Sequence, residues 1–183
     1  MAIYEFRAQE ILGIFDESLR FVQELRPSSL LVFKVKKDES YFVFKIGSSE
    51  LSFDLEHITQ EALALKRLQG VPGVPGFQQS YGARGEYCGA LLKEFFQGQT
   101  LAQLRKGLNE IGLQRKVEEA VRAIHNKGFA NLDLSISNVA LSPDKKDFCL
   151  IDLGTVIHRD NVHNHTFEDL KSTDLRELQD LGY

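Results

Sequence analysis

Two dense β-type runs, SLLVFKV (29–35) and YFVFKIG (41–47), are separated only by the polar stretch KKDES. So short a polar connection between strand-forming runs reads as a hairpin. Directly after it, LEHITQEALALKRL (55–68) turns to good helix formers and is closed by Gly70 and Pro72. Punctuation by VPGVPGF then leads into GFQQSYGARGEYCGALLKEFF, which reads as another hairpin turning at Ala83–Gly85. Upstream, Ile11, Ile14, Phe15, Leu19, Val22 and Leu25 are spaced for an amphipathic helix over 11–25, although its end, SLRFVQEL, is also compatible with a strand.

The second half is mainly helical. TLAQLRKGL and LQRKVEEAVRAIHNKG read as helices, the latter with Val117, Val121 and Ile124 on one face and a stop at Gly128. Short strands over Val139–Leu141 and Phe148–Ile151 flank the turn SPDKKD, and the tail is expected to be helical from about Ser172, capped by Ser-Thr-Asp. Strands with an inserted helix, followed by helices with one small hairpin, make an α+β order in two lobes. A single domain over 1–183 is expected, with lobes of about 1–96 and 99–183 that divide at Gln97-Gly98-Gln99.

At 183 residues and 43% hydrophobic content, the chain can bury a real core. Its formal net charge of -4 argues against bulk nucleic acid or an anionic membrane surface as the main partner. No apolar run approaches the roughly 20 residues needed to cross a bilayer, and MAIYEFRAQE does not resemble a secretory leader, so a cytoplasmic protein is expected. Cys88 and Cys149, both in apolar contexts, read as buried free thiols in strands.

The chemistry is concentrated in two acidic positions. Asp133 precedes Asn138 in a loop that leaves a helix and enters an apolar strand, and Asp152 ends the strand of Leu150-Ile151-Asp152-Leu153-Gly154. Asn138 and Asp152 offer hard oxygen ligands of the kind magnesium accepts, and Asp133 can take the proton of a hydroxyl. Phosphoryl transfer asks for little more than this, because it relies on metal, positioning and charge. His158, His163 and His165, with Asp160, read as a solvated polar loop, and His125 as packing near the Asp133 loop.

These motifs resemble those of the protein-kinase-like superfamily. Asp133–Asn138 resembles the catalytic loop and Asp152-Leu153-Gly154 the Asp-Phe-Gly element. Lys45 matches the strand lysine that holds the α- and β-phosphates, and Glu61 its ion-pair partner, with Glu56 a less well placed competitor. ALLKEFFQGQTL resembles the strand running into the hinge, where backbone groups of Glu94 and Phe96 would receive adenine. The short step from Gly154 to Asp174 is similar to the small atypical branch, namely KEOPS-complex kinases, RIO kinases and lipopolysaccharide-core sugar kinases.

The resemblance covers roughly residues 19–183. It implies a bilobal fold with a β-rich small lobe and a truncated, mainly helical large lobe, and ATP and Mg2+ as cofactors. Lys45, Ser28, Ser29, Glu94 and Phe96 would then bind the nucleotide, Asn138 and Asp152 the metal, and Asp174 the catalytic-loop backbone. The implied acceptor is a protein serine or threonine, the kinase itself, or a sugar. The chain departs from the pattern in having no glycine in Glu24–Ser29, Asn131 and Leu132 in place of the family's His and Arg, and Lys93 near the gatekeeper position. A pseudokinase that serves as a regulatory binding module for a protein partner, or a complex-associated ATPase, therefore stays open beside an active kinase.

Overall fold

The computed structural model describes residues 2–26, 30–49, 52–108 and 112–182. The fold is mixed α+β, and the chain divides into two compact units, Met1–Ala62 with Phe77–Phe95 and Leu63–Gly76 with Phe96–Tyr183.

The first unit is an antiparallel sheet in the order β1-β2-β3-β5-β4, formed by β1 (Arg20–Arg26), β2 (Leu31–Lys37), β3 (Ser40–Ser48), β4 (Phe77–Tyr81) and β5 (Tyr87–Glu94). The hairpin read from the two apolar runs is β2–β3, turning at Asp38 and Glu39 with Asp38 in the left-handed region at φ 52°. Aspartate tolerates that region better than most residues. Helix α1 (Ala2–Phe15) contributes Ala8, Leu12 and Phe15 to a core shared with Phe33, Val35, Phe44, Ile46, Ala90 and Leu92. Side chains alternate along a strand, so Lys45, between Phe44 and Ile46, and Lys93, next to Leu92, belong to the opposite sheet face. Helix α2 (Ser52–Arg67) presents a buried row of Asp54, Ile58, Glu61 and Leu65 at helical spacing.

The helix expected over 11–25 is in fact helix followed by strand. The Asp16 carboxylate accepts the Ser18 N–H (2.9 Å), a local turn that competes with helix continuation. β1 pairs with β2 through register shifts between Phe21 and Gln23 and between Glu24 and Arg26, which disrupt the strand's period of two and leave apolar residues at helix-like intervals. The second hairpin turns at Gly85–Glu86, closed by the Arg84↔Tyr87 bridge, rather than at Ala83–Gly85.

In the second unit, β6 (Gln99–Thr100), β8 (Val139–Leu141) and β9 (Phe148–Leu150) form one small sheet, while β7 (Phe129–Ala130) pairs with β10 (Ile157–His158). Helix α3 (Leu101–Leu104) is a single turn with a Thr100–Gln103 capping box; Arg105 in the left-handed region ends it, so the longer helix read from TLAQLRKGL is cut short. Helix α4 (Gln114–Asn126) buries Val117, Ala120, Val121, Ile124 and His125 and stops before Gly128, whose φ of 84° suits glycine. Helix α5 (Asn164–Asp180) starts well before Ser172, whose hydroxyl donates to the Glu168 carbonyl inside the helix and caps nothing. Along α5, Phe167, Asp174 and Leu178 are buried. Cys88 is half-buried in β5 and Cys149 buried in β9, both as free thiols. Among the described residues no helix is long and apolar enough to cross a membrane.

Asp16 fastens the end of α1 to the sheet by accepting from Ser18, Lys37 (2.9 Å) and Tyr81 (3.1 Å). Burial alone would raise its pKa, but those hydrogen bonds outweigh it and hold the carboxyl well below the usual carboxylate range. Burial, with the Asp16 charge beside it, pushes the Tyr81 phenol up. Because the folded-state pKa of Asp16 is depressed, its contribution is present above the ordinary value of 3.8 and lost as pH falls below that. Asp16→Asn is expected to lower Tm at about pH 7 by roughly 4–8 °C, equivalent to about 2 kcal/mol. Thermal unfolding over a pH series should also show a shallower acid decline in the variant than in the unchanged protein.

Candidate functional site

In the first unit, Glu61 stands in the middle of the buried row of α2 with 1% of its surface exposed. Each of its oxygens meets a different ammonium group: Oε2 accepts from Lys45 Nζ (2.7 Å) and Oε1 from Lys93 Nζ. Both lysines are buried as well, at 4% and 2% exposure. Parity explains the meeting, since Lys45 lies opposite Leu91 and Lys93 opposite Val43 in the β3–β5 ladder, which puts both side chains on one face. The Lys45–Glu61 pair expected from sequence is present. Glu56 is exposed and accepts from Gln60, one turn along its own helix, while the Lys45 ammonium meets Glu61.

In the second unit, the loop from Asn131 to Asn138 is held from beneath by α5. Asp174 is fully buried; its Oδ1 accepts the Leu132 N–H (2.7 Å), and its Oδ2 accepts the Asn131 N–H (3.1 Å) and the His125 Nε2–H (2.8 Å). One turn further on, Glu177 accepts the Leu134 N–H (3.0 Å). Burial pushes the Glu177 carboxyl up, and the charges of Asp174 and Asp133 add to that. Asn131 is tied across the β7–β10 pair, donating from its amide to the Thr155 carbonyl (2.7 Å) and accepting the Thr155 hydroxyl on its own carbonyl (3.1 Å). With α5 and Thr155 fixing its ends, the loop sustains left-handed backbone at Asn131 (φ 66°) and Asp133 (φ 48°).

That backbone leaves Asp133 exposed at the loop's crest. The Asn138 side-chain NH2 donates both to the Asp133 carbonyl (3.0 Å) and to the Asp133 carboxylate Oδ2 (2.8 Å). Asn138 is 5% exposed, and its Oδ1 is buried with no hydrogen-bond partner among the described residues. Since an amide cannot rotate its oxygen without surrendering its NH2 contacts, Oδ1 is an acceptor fixed in direction and left unanswered. β8 and β9 pair Val139 with Leu150, and the Ile151 N–H donates to the Asn138 carbonyl (2.9 Å), so Asp152 is the residue just past the rung that holds Asn138. The Asp152 Oδ1 accepts the Gly154 N–H (3.1 Å), which orients its carboxylate. A magnesium ion takes oxygen ligands of this hard kind, and an orphaned buried amide oxygen on the rung beside a carboxylate fits it.

Of the remaining expected residues, Ser28 and Ser29 lie outside the described residues. Glu94 ends β5 with an exposed side chain, and Phe96, half-buried, belongs to the second unit. His158 caps the 3-10 turn Arg159–Asn161 by accepting the Asp160 N–H (3.3 Å), and the His163 and His165 rings stack 6.0 Å apart where α5 begins. Sequence reasoning did not assign roles to Lys93 as a partner of Glu61, to Asn131 and Thr155 as the loop's tie, or to Glu177. A charged residue closing the apolar run of β5 was the available signal for Lys93, and an Asn before Leu-Asp in a loop was the signal for a left-handed position.

Asp174 concentrates more buried polar contacts than any other carboxylate described in this unit. Its replacement by alanine strands two backbone N–H groups and His125, and is expected to cost about 3–5 kcal/mol in chemical denaturation, while Asp174→Asn costs less because one acceptor survives. No protein-family model matches the chain, and no curated protein is significantly similar to it.

Proposed function

We propose that this protein is an ATP- and magnesium-dependent phosphotransferase of the protein-kinase-like class, bilobal in fold, that delivers the γ-phosphoryl group to a hydroxyl, in this reading that of a protein serine or threonine. The observation that carries the proposal is Asn138, whose NH2 is spent on Asp133 while its Oδ1 is buried and unanswered. Asn138 is thus an asparagine with a committed nitrogen and an oxygen that has no hydrogen-bond partner among the described residues. One that fixes a neighbouring carboxylate and reserves an oxygen is suited to joining a metal to a positioned base.

In this reading Asn138 and Asp152 hold magnesium, which supplies neutralisation of phosphate charge when bound. Asp133 accepts the proton of the acceptor hydroxyl; its exposure leaves it reachable, and the Asn138 amide keeps its carboxylate turned. Lys45 serves the nucleotide's phosphates, and Glu61 holds Lys45 in place. The Asp174 hub supports the loop without touching reactants, because its oxygens are already taken.

The test is thermal unfolding with and without ATP and magnesium, followed by transfer of labelled phosphate. Binding to the native state alone should stabilise the unchanged protein by about 2.7 kcal/mol at about 100 times the Kd, dependent on metal, and Asp152→Ala should lose this effect. Asp133→Ala should fold and bind nucleotide yet transfer about 10²–10⁴-fold more slowly. Absence of any metal-dependent shift in the folded, unchanged protein would overturn the proposal, and binding without transfer would recast the protein as a regulatory module.

A further inference from the structure

Both oxygens of the buried Glu61 carboxylate are answered, and the answers come from two different strands: Lys45 on β3 and Lys93 on β5. Both strands are internal to the sheet: Lys45 is paired with Val32 and Leu91, and Lys93 with Val43 and Phe77, so both backbones are held from both edges. The Lys93 side chain is 2% exposed. We infer that Lys93 is a positioning residue, which keeps the Glu61 carboxylate compensated and fixed on α2 while the Lys45 ammonium is shared with a nucleotide phosphate.

This rests on the proposed role of Lys45. When a phosphate draws on the Lys45 charge, the Lys45–Glu61 contact weakens, and a buried carboxylate served by that lysine alone would be left without compensation. With Lys93 on Oε1, the carboxylate keeps a full positive charge against it throughout, and Oε2 stays aimed at Lys45.

The test compares the unchanged protein with Lys93→Met and Lys93→Arg. ATP–magnesium affinity is measured by calorimetry, after thermal unfolding confirms that each protein is folded. Lys93→Met is expected to bind about tenfold more weakly or worse, whereas Lys93→Arg, which keeps a positive charge against Oε1, should bind as the unchanged protein does. Lys93→Met that is folded and binds with the unchanged affinity would overturn the inference while leaving the proposed function intact, and so would Lys93→Arg that is folded and as weak as Lys93→Met. No binding by the unchanged protein would overturn both. Should Lys93→Met not fold, the Lys93→Met, Glu61→Gln double variant removes both charges; weak binding is expected of it, and unchanged affinity would again overturn the role of Lys93.

Discussion

A carboxylate taken out of water is costly unless its charge is answered, and at Glu61 and Asp174 this constraint shapes the surroundings in each unit of the chain. Glu61 and Asp174 occupy positions in buried helix rows that hydrophobic periodicity reserves for apolar side chains. Each would destabilise its surroundings by several kcal/mol if left unpaired, so the elements around it are arranged to supply donors. For Glu61 the donors are lysines at diagonal positions of the β3–β5 ladder. For Asp174 they are the N–H groups of a loop and the ring of His125 at the end of α4.

The loop over Asp174 has an unusual shape because its donors are held. Two N–H groups directed at one carboxylate, a third at Glu177, and the double tie between Asn131 and Thr155 leave the backbone at Asn131 and Asp133 little choice but the left-handed region. Non-glycine residues accept that region at a cost on the order of 1 kcal/mol each. Asn and Asp bear it most readily, and these are the residues present. The return on the strain is geometric: Asp133 is lifted to the surface while Asn138 is turned beneath it to bond the same carboxylate.

Much of this was legible in the sequence, and the reasons differ by element. The β2–β3 hairpin, α2 and the β8–β9 pair announce themselves because their apolar spacing matches their period and their ends carry turn residues. The junction of α1 with β1 was only half legible: SLRFVQEL was open to a strand, but bulges in β1 give it the spacing of a helix and the turn is made by Asp16 accepting from Ser18. The start of α5 was hidden for a related reason: His163 precedes it with no side-chain cap, so the strongest capping residues in the tail, Ser172 to Asp174, lie inside the helix. At the candidate site, Asp133, Asn138 and Asp152 could be named from the chemistry of short motifs, and Lys45 and Glu61 through the resemblance those motifs carry. The roles of Lys93, Asn131, Thr155 and Glu177 could not be read, since each acts through a partner far away in sequence, such as Glu61 for Lys93 and Leu134 for Glu177.

The partners of the buried carboxylates also separate their roles. Peptide N–H groups are fixed dipoles with no other position to take, so Asp174, answered by two of them, can serve only as a foundation. Lysine ammonium groups sit at the end of flexible stems and can redistribute their charge when a new anion arrives. A carboxylate answered by two such groups can let one of them engage a ligand and still remain compensated. In the proposed function, exchange with a ligand therefore belongs with Glu61 and its lysines, and rigidity with Asp174 and its loop. Asn138 stands between the two: its NH2 is committed to Asp133, and its Oδ1 has no hydrogen-bond partner among the described residues.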